Sequence, residues 1–113
     1  MAVEPDSRGS DIVVPKVSAI ILNYNGLKYI ERCLSSIFLT NYLNLYVILV
    51  DNSSKDGSRE LALSLYGRHH GFKLVNSPHN LGIPGGYNLG ARNSEGEYLI
   101  LLNNDTSFDS NWV

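Results

Sequence analysis

Four short apolar runs, Val17 to Leu22, Tyr46 to Val50, Phe72 to Val75 and Tyr98 to Leu102, are separated by longer polar segments. Each run is nearly continuous rather than alternating, and is rich in β-branched, leucine or aromatic residues. That is the pattern of strands buried on both faces of a parallel sheet. Parallel neighbours cannot be joined by tight turns, so each pair needs a crossover, normally a helix and normally right-handed. The chain therefore reads β-α-β-α-β-α-β, and the expected fold class is α/β, a three-layer α/β/α sandwich on a mainly parallel sheet.

The intervening segments fit that demand. Leu27, Ile30, Leu34, Ile37 and Phe38 recur at helical spacing and offer one apolar stripe, with Cys33 inside it as a small core residue. In the second segment Ser58 is placed to cap a helix carrying Leu61, Ala62, Leu65 and Tyr66, which Gly67 and then Gly71 would close. The third runs from Pro84 to about Asn93 and contains Gly85, Gly86 and Gly90. Each interior glycine costs a helix about 1 kcal/mol relative to alanine, so the segment requires close backbone approach. Tight packing on the sheet and room for a ligand both satisfy that requirement.

A length of 113 residues suits one domain. Residues 1–15 mix charged, proline and small residues without an apolar h-region, and are read as a flexible leader before a single unit at 16–113. Lys and Arg number 9 against 11 Asp and Glu, a formal charge of -2 that excludes a broad electrostatic grip on nucleic acid or anionic lipid. The single cysteine cannot form an internal disulfide and gives no sign of an oxidising compartment.

Open α/β sheets bind ligands outside the carboxyl ends of their strands. Those ends are unusually polar here: Asn23-Tyr24-Asn25-Gly26, Asp51-Asn52-Ser53-Ser54, Asn76-Ser77 and Asn103-Asn104-Asp105-Thr106. Turn chemistry alone could place Asn, Asp, Ser and Gly there. No G-x-x-x-x-G-K-[ST], no G-x-G-x-x-G after the first run and no G-x-S-x-G is present, which excludes a P-loop and argues against a dinucleotide fingerprint or a hydrolase elbow. His69, His70 and His79 sit in loops without metal spacing. Asp51 and Asp105 remain as strand-end carboxylates; Asp105 is a plausible anchor for a divalent cation whose shell is completed by diphosphate oxygens and water.

Several ordered motifs together resemble the amino-terminal half of family 2 glycosyltransferases of the GT-A fold, with the rhamnosyltransferase-like branch as the nearest match. They are Val17 to Gly26, Val50 to Ser58, Asn80-Leu81-Gly82 with Asn88-Leu89-Gly90, and Leu101 to Asp105. The resemblance implies a Rossmann-like nucleotide-sugar-binding half. Asn23, Tyr24 and Asn25 would line the nucleotide site; Asp51 would hydrogen-bond the base, with Asn52 and Ser53 beside it; Asn80, Gly82 and Asn88 would pass near ribose and sugar. Asn103, Asn104 and Asp105 stand where the family has its D-x-D motif, with Asp105 as ligand to Mg²⁺ or Mn²⁺. Asn103 at the first position removes a charge.

The implied reaction moves a sugar, with inversion, from a nucleotide diphosphate sugar to an acceptor glycan, lipid-linked sugar or other hydroxyl. A carboxylate base is expected beyond Val113, so this chain reads as the donor-binding portion of a larger enzyme. A cytoplasmic location, peripheral to the membrane in the full-length protein, goes with that reading. A non-catalytic nucleotide or nucleotide-sugar binding module is the alternative; an NAD-binding domain lacks its glycine signature. The run from Tyr98 to Leu102 is expected to present an unpaired apolar edge and to promote self-association or partial disorder near the C-terminus.

Overall fold

A computed structural model describes residues 14–105. The element order is β1 (Val17–Asn23), α1 (Ile30–Phe38), β2 (Leu45–Asp51), α2 (Ser58–Tyr66), β3 (Phe72–Asn76), α3 (Gly82–Arg92) and β4 (Tyr98–Asn103). All strand pairings are parallel, and the sheet runs in the order β3-β2-β1-β4. The leader lies almost wholly outside the described residues.

Successive strands step outward from β1 to β3, and then the chain crosses back to place β4 on the other side of β1. With crossovers of one hand, that reversal moves the connecting helix to the opposite face. Two cores result. On one face α1 and α2 cover Ile21, Val47 and Leu49, with Ile30, Leu34, Ile37 and Ala62 as the helical contribution. On the other, α3 lays Tyr87, Leu89 and Ala91 against Ile20, Ile48 and Val50. The result is the three-layer α/β/α sandwich with a mainly parallel, Rossmann-like sheet.

Burial on both faces holds for the two central strands, β1 and β2, but not for β3 and β4, which alternate between half-buried and exposed. Edge position decides this, since each outer strand lacks a neighbour and a covering helix on part of its width. Tyr98, Leu99 and Leu101 on β4 are 60%, 44% and 55% exposed.

Three local expectations need correction. Leu27 precedes α1 and is exposed, because the chain after β1 turns through Gly26 before the first helical turn forms. Ser58 is the first residue of α2 rather than its cap. Gly57, at φ +88°, occupies the cap position, and the Asp56 carboxylate accepts the Ser58 amide instead (3.0 Å). Leu65, on the expected apolar stripe, is also exposed, while Ala62 is buried.

α3 begins at Gly82, two residues before Pro84, which still falls in the first turn where its missing N–H is harmless. Tight packing is what two of its glycines serve. A Cβ at Gly90 would stand 2.5 Å from Ile20 Cγ2 and 2.9 Å from Val50 Cγ2, and one at Gly86 would overlap Leu22.

Candidate functional site

Register brings the strand ends into line. Asn23 pairs with Asp51, Asp51 with Asn76, and Leu22 with Asn103, so Asn104 lies just past the end of β4 beside Asn23. The gap between β1 and β4 is also where the strand order reverses. Ligands of open α/β sheets settle at such a switch point.

A buried amide occupies it. Asn23 is fully buried, and its Nδ2 donates to Asp51 Oδ1 (2.9 Å), Ser58 Oγ (2.9 Å) and Ser54 Oγ (3.2 Å). Its Oδ1 accepts from Asn104 Nδ2 at 2.7 Å. Asp51 is fully buried as well; its second oxygen accepts the Ser54 amide (2.9 Å) and faces Arg59 Nη1 at 3.9 Å. A buried carboxylate is tolerated only when donors and a cation answer it, as here. Asp51 thus lies fully buried beneath the loops at the strand ends.

The loops above are tied by side chains acting as peptide substitutes. Ser54 Oγ accepts the Asn25 amide (2.9 Å), and Asn25 Oδ1 accepts the Lys55 amide (2.8 Å), with Asn25 at φ +49°. Asp56 bridges the same two loops by accepting the Leu27 amide (2.9 Å) as well as the Ser58 amide (3.0 Å) and hydroxyl (2.5 Å). Burial alone would raise its pKa, but the Ser58 hydroxyl and the Leu27 and Ser58 amides outweigh it and hold the carboxyl below its ordinary value. Asn52, almost fully buried, accepts the Leu81 amide (2.9 Å) and donates to the Gly82 carbonyl (3.1 Å). Asn80 accepts the Gly82 amide (2.8 Å), and Gly82 sits at φ +76°, where a side chain would be strained.

Turn chemistry therefore explains much of the asparagine content, and it leaves a defined surface. Tyr24, Asn25, Asn80, Asn103 and Asp105 are exposed along the edge, with Ser53 and Asn104 half-buried among them. Asn88 stands apart, exposed on α3 and six residues, or about 9 Å of helix, beyond Gly82. From α3, Tyr87 donates its hydroxyl to the Leu102 carbonyl (2.7 Å) and so anchors the end of β4. Burial, and then the neighbouring Cys33, raise the Tyr87 pKa.

Asp105 is an exposed hard-oxygen donor. Among the described residues no group of three or more His, Cys, Asp or Glu converges. Those residues do not make a cage for a metal by themselves; a single exposed carboxylate is the kind of ligand that Mg²⁺ or Mn²⁺ accepts beside phosphate and water oxygens. Cys33 lies nearby; burial first, then the Asp105 charge, push its thiol up to about 12, so it is a packing residue.

A cleft of about 200 Å³ opens at the opposite end of the sheet, lined by Lys16, Tyr46, Lys73 and Glu95 among others. Its cations are already engaged: Lys16 pairs with Glu95 at 3.4 Å and lies over the Tyr46 ring, and Lys73 donates to the Asn93 carbonyl.

The sequence profile of Glycosyl transferase family 2 matches residues 18–113. The chain belongs to glycosyl transferase family 2. Among solved structures, a mannosyltransferase from Pyrobaculum calidifontis in complex with GDP-Man and Mn²⁺ is 27% identical with a TM-score of 0.78, over 94% of this chain and 31% of that one. S. aureus TarS 1-349 in complex with UDP is 26% identical with a TM-score of 0.77, over 85% of this chain and 29% of that one. A glycosyltransferase of Rickettsia typhi is 34% identical over 88% of this chain and 30% of its own length. GlyA of Streptococcus pneumoniae is 26% identical over 90% of this chain and 14% of its own. This family 2 chain spans between 14% and 37% of the length of such curated relatives. No helix among its described residues is long and apolar enough to cross a membrane.

Ser54, Asp56, Gly26 and Tyr87 build the site of this family 2 chain, yet their local spacing does not single them out. Asp56 carries the one signal available, an Asp two residues before a helix start, which favours acceptance of the first helical amides.

Proposed function

We propose that this chain is the donor-binding part of a glycosyltransferase that moves a sugar from a nucleotide diphosphate sugar to an acceptor hydroxyl, on a glycan, a lipid-linked sugar or another alcohol. The observation that carries the reading is the convergence, at the switch point, of the ends of β1, β2 and β4 on the buried Asn23, with the Asp105 carboxylate exposed beside it.

The exposed groups have distinct tasks. Tyr24 and Asn25 on the first loop, Ser53 on the second, and Asn80 and Gly82 on the third offer a ring, amides and open backbone to base and ribose. Asn88, further along α3, extends that surface toward the sugar. Asn52 and Asp51 act from below, holding the loops that make the contact. Asn103 and Asp105 flank the diphosphate, with Asn104 between them in the same turn, and Asp105 would hold Mg²⁺ or Mn²⁺. When bound, the cation offsets negative charge on the departing nucleoside diphosphate. Transfer with inversion needs a carboxylate on the acceptor side to take the hydroxyl proton. GDP-Man with Mn²⁺ and UDP, held by the two similar structures, support this donor class.

Calorimetric titration with UDP, GDP and dTDP, in Mn²⁺ and in EDTA, tests the proposal; the dTDP arm addresses a rhamnosyltransferase-like donor. Binding of at least one nucleotide, strengthened by Mn²⁺ and weakened by Asp105→Ala only in Mn²⁺, is the expected result. Indifference to all three nucleotides would overturn it.

A further inference from the structure

Asn104 reaches the switch point by a different route from its neighbours. Its Nδ2 points inward to Asn23 Oδ1 at 2.7 Å, one of the shortest links between the β4 end and the rest of the site. Through Asn23 the link continues to Asp51, Ser54 and Ser58, and through Ser54 to the amide of Asn25. One buried amide thus joins three loops: the turn carrying Asp105, the loop carrying Tyr24 and Asn25, and the start of α2. Gly26 guards the joint. A Cβ there would overlap both Asn104 Nδ2 and Asn23 Oδ1, so no larger residue fits while the pair is made.

We propose that Asn104 is a positioning residue, a latch to Asn23 that sets the Asp105 carboxylate relative to the nucleotide loops, rather than a group that contacts the donor. The inference rests on the donor-binding reading above. Its physical basis is direction: the half-buried Asn104 side chain is turned toward the buried Asn23 and spends one of its two amide hydrogens there, which fixes the turn that carries Asp105 whatever its second hydrogen and Oδ1 meet. Asp105 is the next residue, and the latch limits where its carboxylate can stand when a diphosphate and a cation share it. Loss of the latch therefore weakens nucleotide binding only when metal is present.

Three variants probe one joint. Asn104→Asp keeps the shape but sets a carboxylate oxygen against the Asn23 carbonyl oxygen. Asn104→Ala deletes the donor, and Gly26→Ala forces the pair apart from the Asn23 side. Titration with UDP and GDP in excess Mn²⁺ is expected to show about tenfold weaker binding for all three, as for one lost hydrogen bond. In EDTA the two Asn104 variants are expected to keep their affinity, whereas Gly26→Ala, which also displaces the Asn23 amide under the nucleotide loops, is expected to lose some there too. Tighter or equal binding by Asn104→Asp in Mn²⁺ overturns the proposal, because an added carboxylate helps only if the side chain meets the cation. Equal losses in Mn²⁺ and EDTA by the Asn104 variants overturn it in favour of a general structural role.

If the unmodified chain binds no nucleotide, the donor-binding reading fails, and the latch is judged without ligand. Amide exchange at Asn104 and Asp105 is then expected to accelerate in the variants while that at Lys55 does not. Unchanged exchange overturns the latch itself. Should Gly26→Ala fail to fold, the two Asn104 variants carry both measurements.

Discussion

Gly90 of α3 lies so close to Ile20 of β1 that an added Cβ would stand 2.5 Å from the isoleucine Cγ2. The same atom would meet Val50 Cγ2 at 2.9 Å, and both partners are fully buried and β-branched, with little freedom to turn away. Helix propensity alone would favour Gly90→Ala by about 1 kcal/mol. Overpacking a closed core costs about 1–3 kcal/mol and outweighs it. Gly90→Ala is expected to lower stability by about 1–2 kcal/mol in urea unfolding, and Gly86→Ala by less, since its main obstacle is the end of the half-buried Leu22 side chain.

Asp56 makes stability depend on acid. Its folded pKa lies below the ordinary 3.8, so its contribution is complete above that value and is lost as pH falls through the lowered one. Asp56→Ala is expected to cost about 1–2 kcal/mol at neutral pH, through the unanswered Leu27 and Ser58 amides. Urea unfolding of both proteins should show that difference steady from neutral pH down to about pH 4 and shrinking below it.

Cys33 should resist alkylation. A buried thiol with its pKa near 12 holds almost no thiolate at neutral pH. Iodoacetamide labelling of the native chain is expected to proceed at least about a hundredfold more slowly than in denaturant, where the ordinary thiol pKa returns. Rapid native labelling would show that α1 opens frequently.

The outer edge of β4 is expected to support self-association. Leu99 and Leu101 share the face of β4 on the α3 side of the sheet and are 44% and 55% exposed. Sedimentation should reveal a dimer that Leu101→Lys weakens about tenfold or more, the effect of leaving one leucine in water and adding a charge to an edge. A monomer at high concentration would contradict this expectation.

Element positions were legible in the sequence because they rest on local pattern. The run from Val17 to Leu22 became β1 with one residue added, Tyr98 to Leu102 became β4 in the same way, and Pro84 marked the first turn of α3. Leu27 and Ser58 escaped that logic. A stripe of apolar residues does not state where a helix begins, and a serine at a helix start can serve a buried partner, here Asn23, instead of capping.

The site divides along the same line. That polar clusters follow all four strands is a property of the chain read in order, and parallel pairing then carries them to one edge. Which asparagines face solvent and which are buried is not local. Asn23 and Asn25 are two residues apart, yet one is fully buried and the other exposed, because the register sets Asn23 between Asp51 and the residue after Asn103. The strand order β3-β2-β1-β4, which creates the switch point, joins segments as far apart as Asn23 and Asn104, 81 residues along the chain. Hydrophobic periodicity is a short-range signal and fixes the elements; hydrogen bonding between distant strand ends is a property of the folded sheet, and it alone decided which side chains became scaffold and which remained available.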